Sequence, residues 1–178
     1  MNDMLPSNEP AQPGFCRVNT VTRQGAPGGE SLLEWLRDEL DCLDVRKGCD
    51  TGHCGACAVL VDGLPVKSCS VLAQEVGARH VHTLSGLSLL KDPAVVAVLA
   101  AVDQRQPFQC GYCVPAFVLA AIALLREAPD PMEADIHAAF AGLLCRCTGY
   151  LPIVEMVMLA ARSLQDGAPG QGRDGRTI

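Results

Sequence analysis

Eight of the ten cysteines in this chain fall into two groups whose spacing is typical of iron–sulfur sites. The first group consists of Cys49, Cys54, Cys57 and Cys69. The second group consists of Cys110, Cys113, Cys145 and Cys147. The first three cysteines reproduce the C-x4-C-x2-C spacing of plant-type ferredoxins. Because four thiolates are the ligand set of one [2Fe–2S] cluster, the sequence predicts two such clusters and a role in electron transfer.

The first group lies mainly in one short loop that must wrap a compact cluster. The glycines in this loop are Gly48, Gly52 and Gly55. Glycine adopts positive φ at little cost, and it lets backbone amides approach the sulfur atoms. Amides that point at thiolate and sulfide stabilise a negatively charged cluster. Cys69 lies at the far end of a predicted hairpin and is expected to close the site.

The second group is divided between two predicted connections. Cys110 and Cys113 come just before a predicted helix, and Cys145 and Cys147 lie between two predicted helices. Four thiolates from two such loops can meet at one end of a helical bundle. The single-residue spacing of Cys145 and Cys147 is shorter than the usual zinc C-x2-C, but it can hold two thiolates on one iron.

Two other metal sites are alternatives. A zinc site could use Cys54 and Cys57 together with Cys110 and Cys113, although the remaining four cysteines would then have no role. A Rieske centre needs two histidine ligands on one iron. His53 lies within the first group, but it has no second histidine at matching spacing, so we predict that it is a neighbour.

The predicted helices and strands that position these cysteines form two segments of the chain, with the boundary near residue 90. Between 15 and 90 the sequence predicts a strand at 15–20 and a helix that begins at a capping box, Ser31 to Glu34. It also predicts a hairpin with an Asp62-Gly63 turn and a last strand at 81–84. One helix and several strands around a cysteine loop suggest a β-grasp ferredoxin-like domain.

Between 91 and 165 the pattern becomes helical. Aspartate followed by proline opens two of the helices, at Asp92-Pro93 and at Asp130-Pro131. The predicted helices span about 92–103, 115–128, 130–144 and 150–165. Short links between them favour a C-terminal four-helix bundle, so the expected fold class is α+β. The segments 1–14 and 166–178 are expected to be disordered.

Composition limits the classes of function. The chain has 178 residues, of which 49% are hydrophobic and 19% charged, so it can bury a core. A net charge of −6 argues against nucleic-acid binding, which usually requires a basic face. No secretory signal or membrane-spanning apolar run is visible. We therefore expect a cytoplasmic protein, in whose reducing surroundings metal ligation is favoured over disulfides.

The cysteine motifs and their neighbours resemble the small iron–sulfur subunit of the xanthine dehydrogenase and aldehyde oxidase family of molybdenum hydroxylases. The matching segments are Lys47–Cys49, His53–Cys57, Asp62–Gly63, Ser68–Cys69, Gln109–Cys113 and Leu144–Tyr150. The resemblance covers about 15–165. It implies a β-grasp [2Fe–2S] domain followed by a four-helix [2Fe–2S] domain.

The resemblance also implies partners and a division of labour. A large subunit would carry molybdopterin and oxidise the substrate, and a medium subunit would carry FAD. Electrons would reach the helical-domain cluster first and the β-grasp cluster second. Gln109 matches the glutamine that hydrogen-bonds the pterin, and Cys147 matches the ligand that lies nearest to it. The chain itself would then contain no catalytic residue.

Two other functions are alternatives to this one. A free-standing two-cluster ferredoxin would have no need of Gln109 or of such an elaborate second domain. A zinc-stabilised interaction module would be colourless rather than red-brown. No nucleophile, general-base pair or nucleotide loop suggests an independent enzyme. Cys147-Thr148-Gly149-Tyr150 is the form usual in family members with flavin, so the resemblance favours a flavin partner.

Overall fold

The structure is a computed structural model that describes residues 15–25 and 28–167. The predicted disorder of 1–14, and that of the tail from 168 onward, lies outside the described residues. The described part is a mixed α/β fold with one five-stranded sheet and seven α-helices. Within it, no helix is both long enough and apolar enough to cross a membrane.

The sheet has the strand order β2-β1-β5-β3-β4. Its strands are β1 Phe15–Val18, β2 Val21–Gln24, β3 Ala58–Val61, β4 Leu64–Lys67 and β5 His80–His82. The first and last strands pair in parallel, and the other neighbouring pairs are antiparallel. The predicted β3–β4 hairpin is confirmed, and both residues of its turn, Asp62 and Gly63, have positive φ. The exposed strand β2 was not predicted, because its sequence does not alternate between apolar and polar residues.

The first helix begins where the capping box predicts it. The Ser31 hydroxyl accepts a hydrogen bond from the Glu34 amide, and the Glu34 carboxylate accepts one from the Ser31 amide. After α1, Leu32–Glu34, the chain continues as one π-helical segment, Trp35–Glu39. Trp35 is buried, as expected of a packing residue.

Four longer helices, α4 to α7, follow the last strand of the sheet. They are α4 Pro93–Arg105, α5 Val114–Glu127, α6 Glu133–Phe140 and α7 Leu151–Gln165. The two short helices that precede them are α2 Ala73–Val76 and α3 Leu84–Leu87. Helix α4 packs against α5 and α7, and α6 also packs against α5 and α7. The Asp92 carboxylate caps α4 by accepting a hydrogen bond from the Val95 amide at 3.1 Å.

The prediction for the third long helix was wrong at both ends. Helix α6 begins after Met132, because the Asp135 carboxylate accepts a hydrogen bond from the Met132 amide at 2.8 Å. The predicted cap, Asp130, lies outside the helix. Helix α6 ends at Phe140 rather than near Leu144, because the Leu144 amide is used elsewhere, as described below.

Strand β3 lies between the two hydrophobic cores of the described chain. Ala58 and Leu60 belong to the core that includes α4–α7, whereas Val59 and Val61 belong to the core beneath α1. Alternate residues of a strand point to opposite faces, so β3 buries both of its faces. The two halves of the protein therefore share this strand, which fixes the position of one cysteine group relative to the other.

Candidate metal centres

The loop that carries the first cysteine group directs backbone amides at sulfur. The amides of Thr51, His53 and Cys54 donate to Sγ of Cys49 at 3.4, 3.3 and 3.3 Å. The Cys49 amide donates in turn to Sγ of Cys54 at 3.3 Å. Hydrogen bonds from the Thr51 side chain and from the Cys54 and Thr51 amides lower the pKa of Cys49 to about 5. The loop therefore favours the thiolate form that a metal ligand needs.

Cys57 and Cys69 form the other half of this group. Their thiols contact each other across the end of the β3–β4 hairpin, and burial raises the pKa of Cys57. Ser68 holds the chain next to Cys69 close to Cys57, since its amide and its hydroxyl both donate to the Cys57 carbonyl, at 3.3 and 2.7 Å. The hydroxyl of Ser70 lies 3.6 Å from Sγ of Cys69.

One glycine in the loop is required by a close approach. A Cβ atom on Gly48 would lie 2.6 Å from Sγ of Cys54, closer than real Cβ contacts come. The absence of a side chain at Gly48 therefore lets the chain turn tightly beside that sulfur.

The second cysteine group also consists of two pairs. Cys110 and Cys147 are exposed, and their sulfur atoms are 3.7 Å apart. Cys113 and Cys145 are buried and their thiols contact each other. Burial and the contact with Cys145 raise the pKa of Cys113 to about 12. These contacts bring the two inter-helix connections together.

Tyr150 clamps the loop that carries Cys145. Its hydroxyl accepts a hydrogen bond from the Cys145 amide and donates one to the Leu143 carbonyl, both at 3.1 Å. The Thr148 hydroxyl donates to Sγ of Cys145 at 3.1 Å. Although burial opposes it, this hydrogen bond and two backbone hydrogen bonds lower the pKa of Cys145. Sequence reasoning missed the roles of Thr148 and Tyr150, although both stand directly after the C-x-C pair.

The two cysteine groups are connected directly. The Leu144 amide donates to the Cys54 carbonyl at 2.9 Å, and the Tyr112 hydroxyl donates to the Lys47 carbonyl at 2.7 Å. Gly55 makes the first contact possible, because a Cβ atom there would lie 2.4 Å from the Gly142 carbonyl oxygen. The loop of one group therefore touches the loops of the other through one backbone–backbone hydrogen bond and one hydrogen bond from a tyrosine side chain.

The paired thiols suit the ligand set of a [2Fe–2S] cluster, in which each of the two irons takes two thiolates. Within residues 15–25 and 28–167, no three His, Cys, Asp or Glu side chains meet at a point that could hold a single metal ion. Cys54 and Cys57, which the zinc alternative would join, belong to different pairs. Each cysteine group as a whole therefore fits two irons.

Four other residues, Gln109, His53, Cys16 and Cys42, differ in their exposure to solvent. Gln109 is exposed and directly precedes Cys110. His53 is exposed, and its Nδ1 lies 3.1 Å from the Thr51 hydroxyl. Cys16 is buried in the core beneath α1, where burial raises its pKa to about 11, and Cys42 packs against the same core.

Comparison with known proteins gives matches over both halves of the chain. Residues 29–103 match the family described as "2Fe-2S iron-sulfur cluster binding domain", and residues 83–158 match "[2Fe-2S] binding domain". The nicotine 6-hydroxylase small subunit of Paenarthrobacter nicotinovorans is 37% identical, over 80% of this chain and 79% of the relative. The xanthine dehydrogenase iron-sulfur-binding subunit of Escherichia coli O157:H7 is 39% identical, over 80% of this chain and 90% of the relative.

Among solved structures, one chain of quinoline 2-oxidoreductase from Pseudomonas putida 86 superposes with a TM-score of 0.77. It is 27% identical to this chain, and the superposition covers 89% of this chain and 99% of that one. The similarity therefore extends over nearly the whole length of a chain of that enzyme.

Proposed function

This chain belongs to the small iron–sulfur subunits of the xanthine dehydrogenase family of molybdenum hydroxylases, and we propose that its two cysteine groups form the electron route of such an enzyme. It is an electron-transfer subunit that carries [2Fe–2S] clusters and performs no substrate chemistry. The observation that carries the proposed route is the arrangement of eight thiols as four pairs in two connected groups.

We propose that all eight cysteines are cluster ligands. One cluster would be held by Cys49, Cys54, Cys57 and Cys69, and the other by Cys110, Cys113, Cys145 and Cys147. When bound, a [2Fe–2S] cluster takes up and releases one electron. The residues of the chain hold the thiolates in place, and amide and hydroxyl donors stabilise the negative charge on sulfur.

The two groups define two proposed domains. The segment 15–90 would be the β-grasp domain, and the segment 91–165, with helices α4–α7, would be a four-helix bundle. Each segment contains one cysteine group and most of one hydrophobic core, which supports this division. The shared strand β3 and the backbone contacts between the loops hold the two domains together.

The exposed pair of the second group is proposed to face a large molybdopterin-binding subunit. Gln109, Cys110 and Cys147 are all exposed, so a partner can reach them. Gln109 would hydrogen-bond the pterin, and Cys147 would be the ligand nearest to it. Electrons would enter at this end of the chain and leave from the loop of Cys49, which is proposed to face a FAD-binding subunit.

Metal analysis of the protein, purified from its own host with its natural partners, tests this proposal. We expect about four irons per chain, as two [2Fe–2S] clusters require, together with molybdenum and flavin in the complex. The same iron content without molybdenum or a partner would favour a free-standing ferredoxin. Zinc in place of iron would contradict the proposal.

A further inference from the structure

One lysine lies where the two cysteine groups meet. Lys67 is the last residue of β4, two residues before Cys69. Its Nζ atom donates to the carbonyl of Gly52, in the loop of Cys49, at 2.8 Å. Nζ and Cε also lie 3.3 Å from the position that a Cβ atom on Gly142 would occupy. The ammonium is therefore held between the first cysteine loop and the chain that leads into Cys145.

In the part of the chain that the structure describes, no carboxylate forms an ion pair with this ammonium. The ion pairs found within residues 15–25 and 28–167 do not include Lys67. By contrast, Lys47 is exposed on the same loop and forms an ion pair with Asp50 at 2.8 Å. Because Lys67 is half-buried, its charge is screened less by solvent than a fully exposed charge would be.

An unpaired cation changes the energy of reducing a nearby cluster. A cluster with four thiolate ligands is negatively charged, and one added electron increases that charge. Net charge and hydrogen bonding near a cluster are among the factors that set its reduction potential. The ammonium of Lys67 must therefore favour the reduced state, most strongly for the group whose loop it contacts directly.

We propose that Lys67 sets the reduction potential of the β-grasp cluster and so favours that cluster as the resting place of the electron. This inference rests on the proposed function, since it requires both clusters to be present. With both clusters bound, one electron would pass from the other cluster to the β-grasp cluster, so that the first would be oxidised by one electron and the second reduced by one.

Three variants separate the charge of Lys67 from its hydrogen bond. Lys67→Arg keeps the charge, Lys67→Gln keeps a donor without the charge, and Lys67→Met loses both. Each purified complex is titrated with dithionite while the EPR signals of the clusters are recorded. The signal that disappears in a Cys49→Ser variant is assigned to the β-grasp cluster.

We expect Lys67→Met and Lys67→Gln to lower the equilibrium constant for reduction of the β-grasp cluster about tenfold, equivalent to about 59 mV for one electron. Lys67→Arg should stay within about threefold of the unchanged protein, and the signal of the other cluster should move less. An unchanged potential in Lys67→Gln, or a larger shift in the other cluster, would overturn the inference.

Iron analysis of the same samples distinguishes a failure of the proposed role of Lys67 from a failure of the proposed function. Four irons per chain with unshifted potentials would refute the role of Lys67 alone. A lack of iron in the unchanged protein would instead refute the proposed function. A double variant, Lys47→Met with Asp50→Asn, is the matched control, because it removes an ion pair from the same loop without changing the net charge.

Discussion

The amide of Leu144 donates a hydrogen bond to the carbonyl of Cys54, with an N···O distance of 2.9 Å. Cys54 belongs to the first cysteine group, and Leu144 directly precedes Cys145 of the second. This bond ends helix α6 early and ties the two loops together. A backbone-to-backbone hydrogen bond therefore helps to fix the distance between the proposed clusters.

Loss of one exposed thiol should remove one cluster only. In Cys147→Ser we expect the iron content to fall from about four to about two per chain, because the second group loses a ligand while the first remains intact. Iron analysis and EPR of the purified complex measure this. Cys42→Ser, a matched change of a cysteine outside both groups, should keep all the iron. Full iron content in Cys147→Ser would contradict the ligand assignment.

The junction between the two loops depends on the absence of a side chain at Gly55. Gly55 has φ +70°, and a Cβ atom there would meet the Gly142 carbonyl oxygen at 2.4 Å. We expect Gly55→Ala to destabilise the protein by about 2 to 5 kcal/mol, from backbone strain together with this overlap. Thermal unfolding followed by circular dichroism measures the change.

Gly63→Ala is the control for that prediction. Gly63 also has positive φ, at +85°, but nothing lies within 4 Å of its Cβ position. This variant should lose only about 1 to 2 kcal/mol, the cost of the left-handed backbone. Equal losses in the two variants would show that the contact with Gly142 contributes nothing.

The Thr148 hydroxyl should raise the reduction potential of the second cluster. Thr148→Val removes the O–H···S hydrogen bond to Cys145, which is 3.1 Å long. A hydrogen bond worth about 1 kcal/mol corresponds to a decrease on the order of 40 mV for one electron. Redox titration monitored by EPR measures this shift. Thr148→Ser retains the hydroxyl and should titrate like the unchanged protein, so an equal decrease in both variants would argue against the hydrogen bond.

Acid should destabilise the protein through His82. Burial lowers the pKa of His82 to about 4, and the charges of His80 and Arg126 act in the same direction. In the unfolded chain this histidine has a pKa of about 6.5. Between pH 6.5 and pH 4 the unfolded chain therefore binds a proton at His82, whereas the folded chain does not. The stability associated with neutral His82 is therefore fully present above pH about 6.5 and is lost as the pH falls towards 4.

Urea unfolding at several pH values tests this effect. Between pH 6.5 and pH 4 the unchanged protein should lose on the order of 2 to 3 kcal/mol more than His82→Gln, which has no titrating group at that position. Parallel loss of stability in both proteins would rule out His82 as the source.

The local signals in the sequence identified most of the fold. The Asp62-Gly63 turn, the capping box at Ser31 and the Asp92-Pro93 helix start each depend on neighbouring residues, and each predicted element is present. Strand β2 was missed because it is an edge strand with an entirely exposed sequence. Strand β2 forms because it pairs with β1, and its own pattern of apolar and polar residues does not indicate a strand.

The contacts between distant residues could not be predicted. The end of helix α6 depends on a bond from Leu144 to Cys54, and the position of the Lys67 ammonium depends on the Gly52 carbonyl. Such contacts form only once the fold brings separate segments together, so no spacing rule reports them. The sequence predicted that the two loops of the second cysteine group can meet, but not that Cys110 pairs with Cys147, 37 residues away.

That exposed pair has a consequence for how the protein is made. Before a cluster is inserted, Cys110 and Cys147 are two accessible thiols whose sulfur atoms lie 3.7 Å apart. An oxidant could join them as a disulfide after only a small movement, since a disulfide bond is about 2.05 Å long. Such a disulfide would leave the second cluster without two of its four proposed thiolate ligands. Assembly of the protein must therefore deliver iron and sulfide before oxidation reaches these thiols.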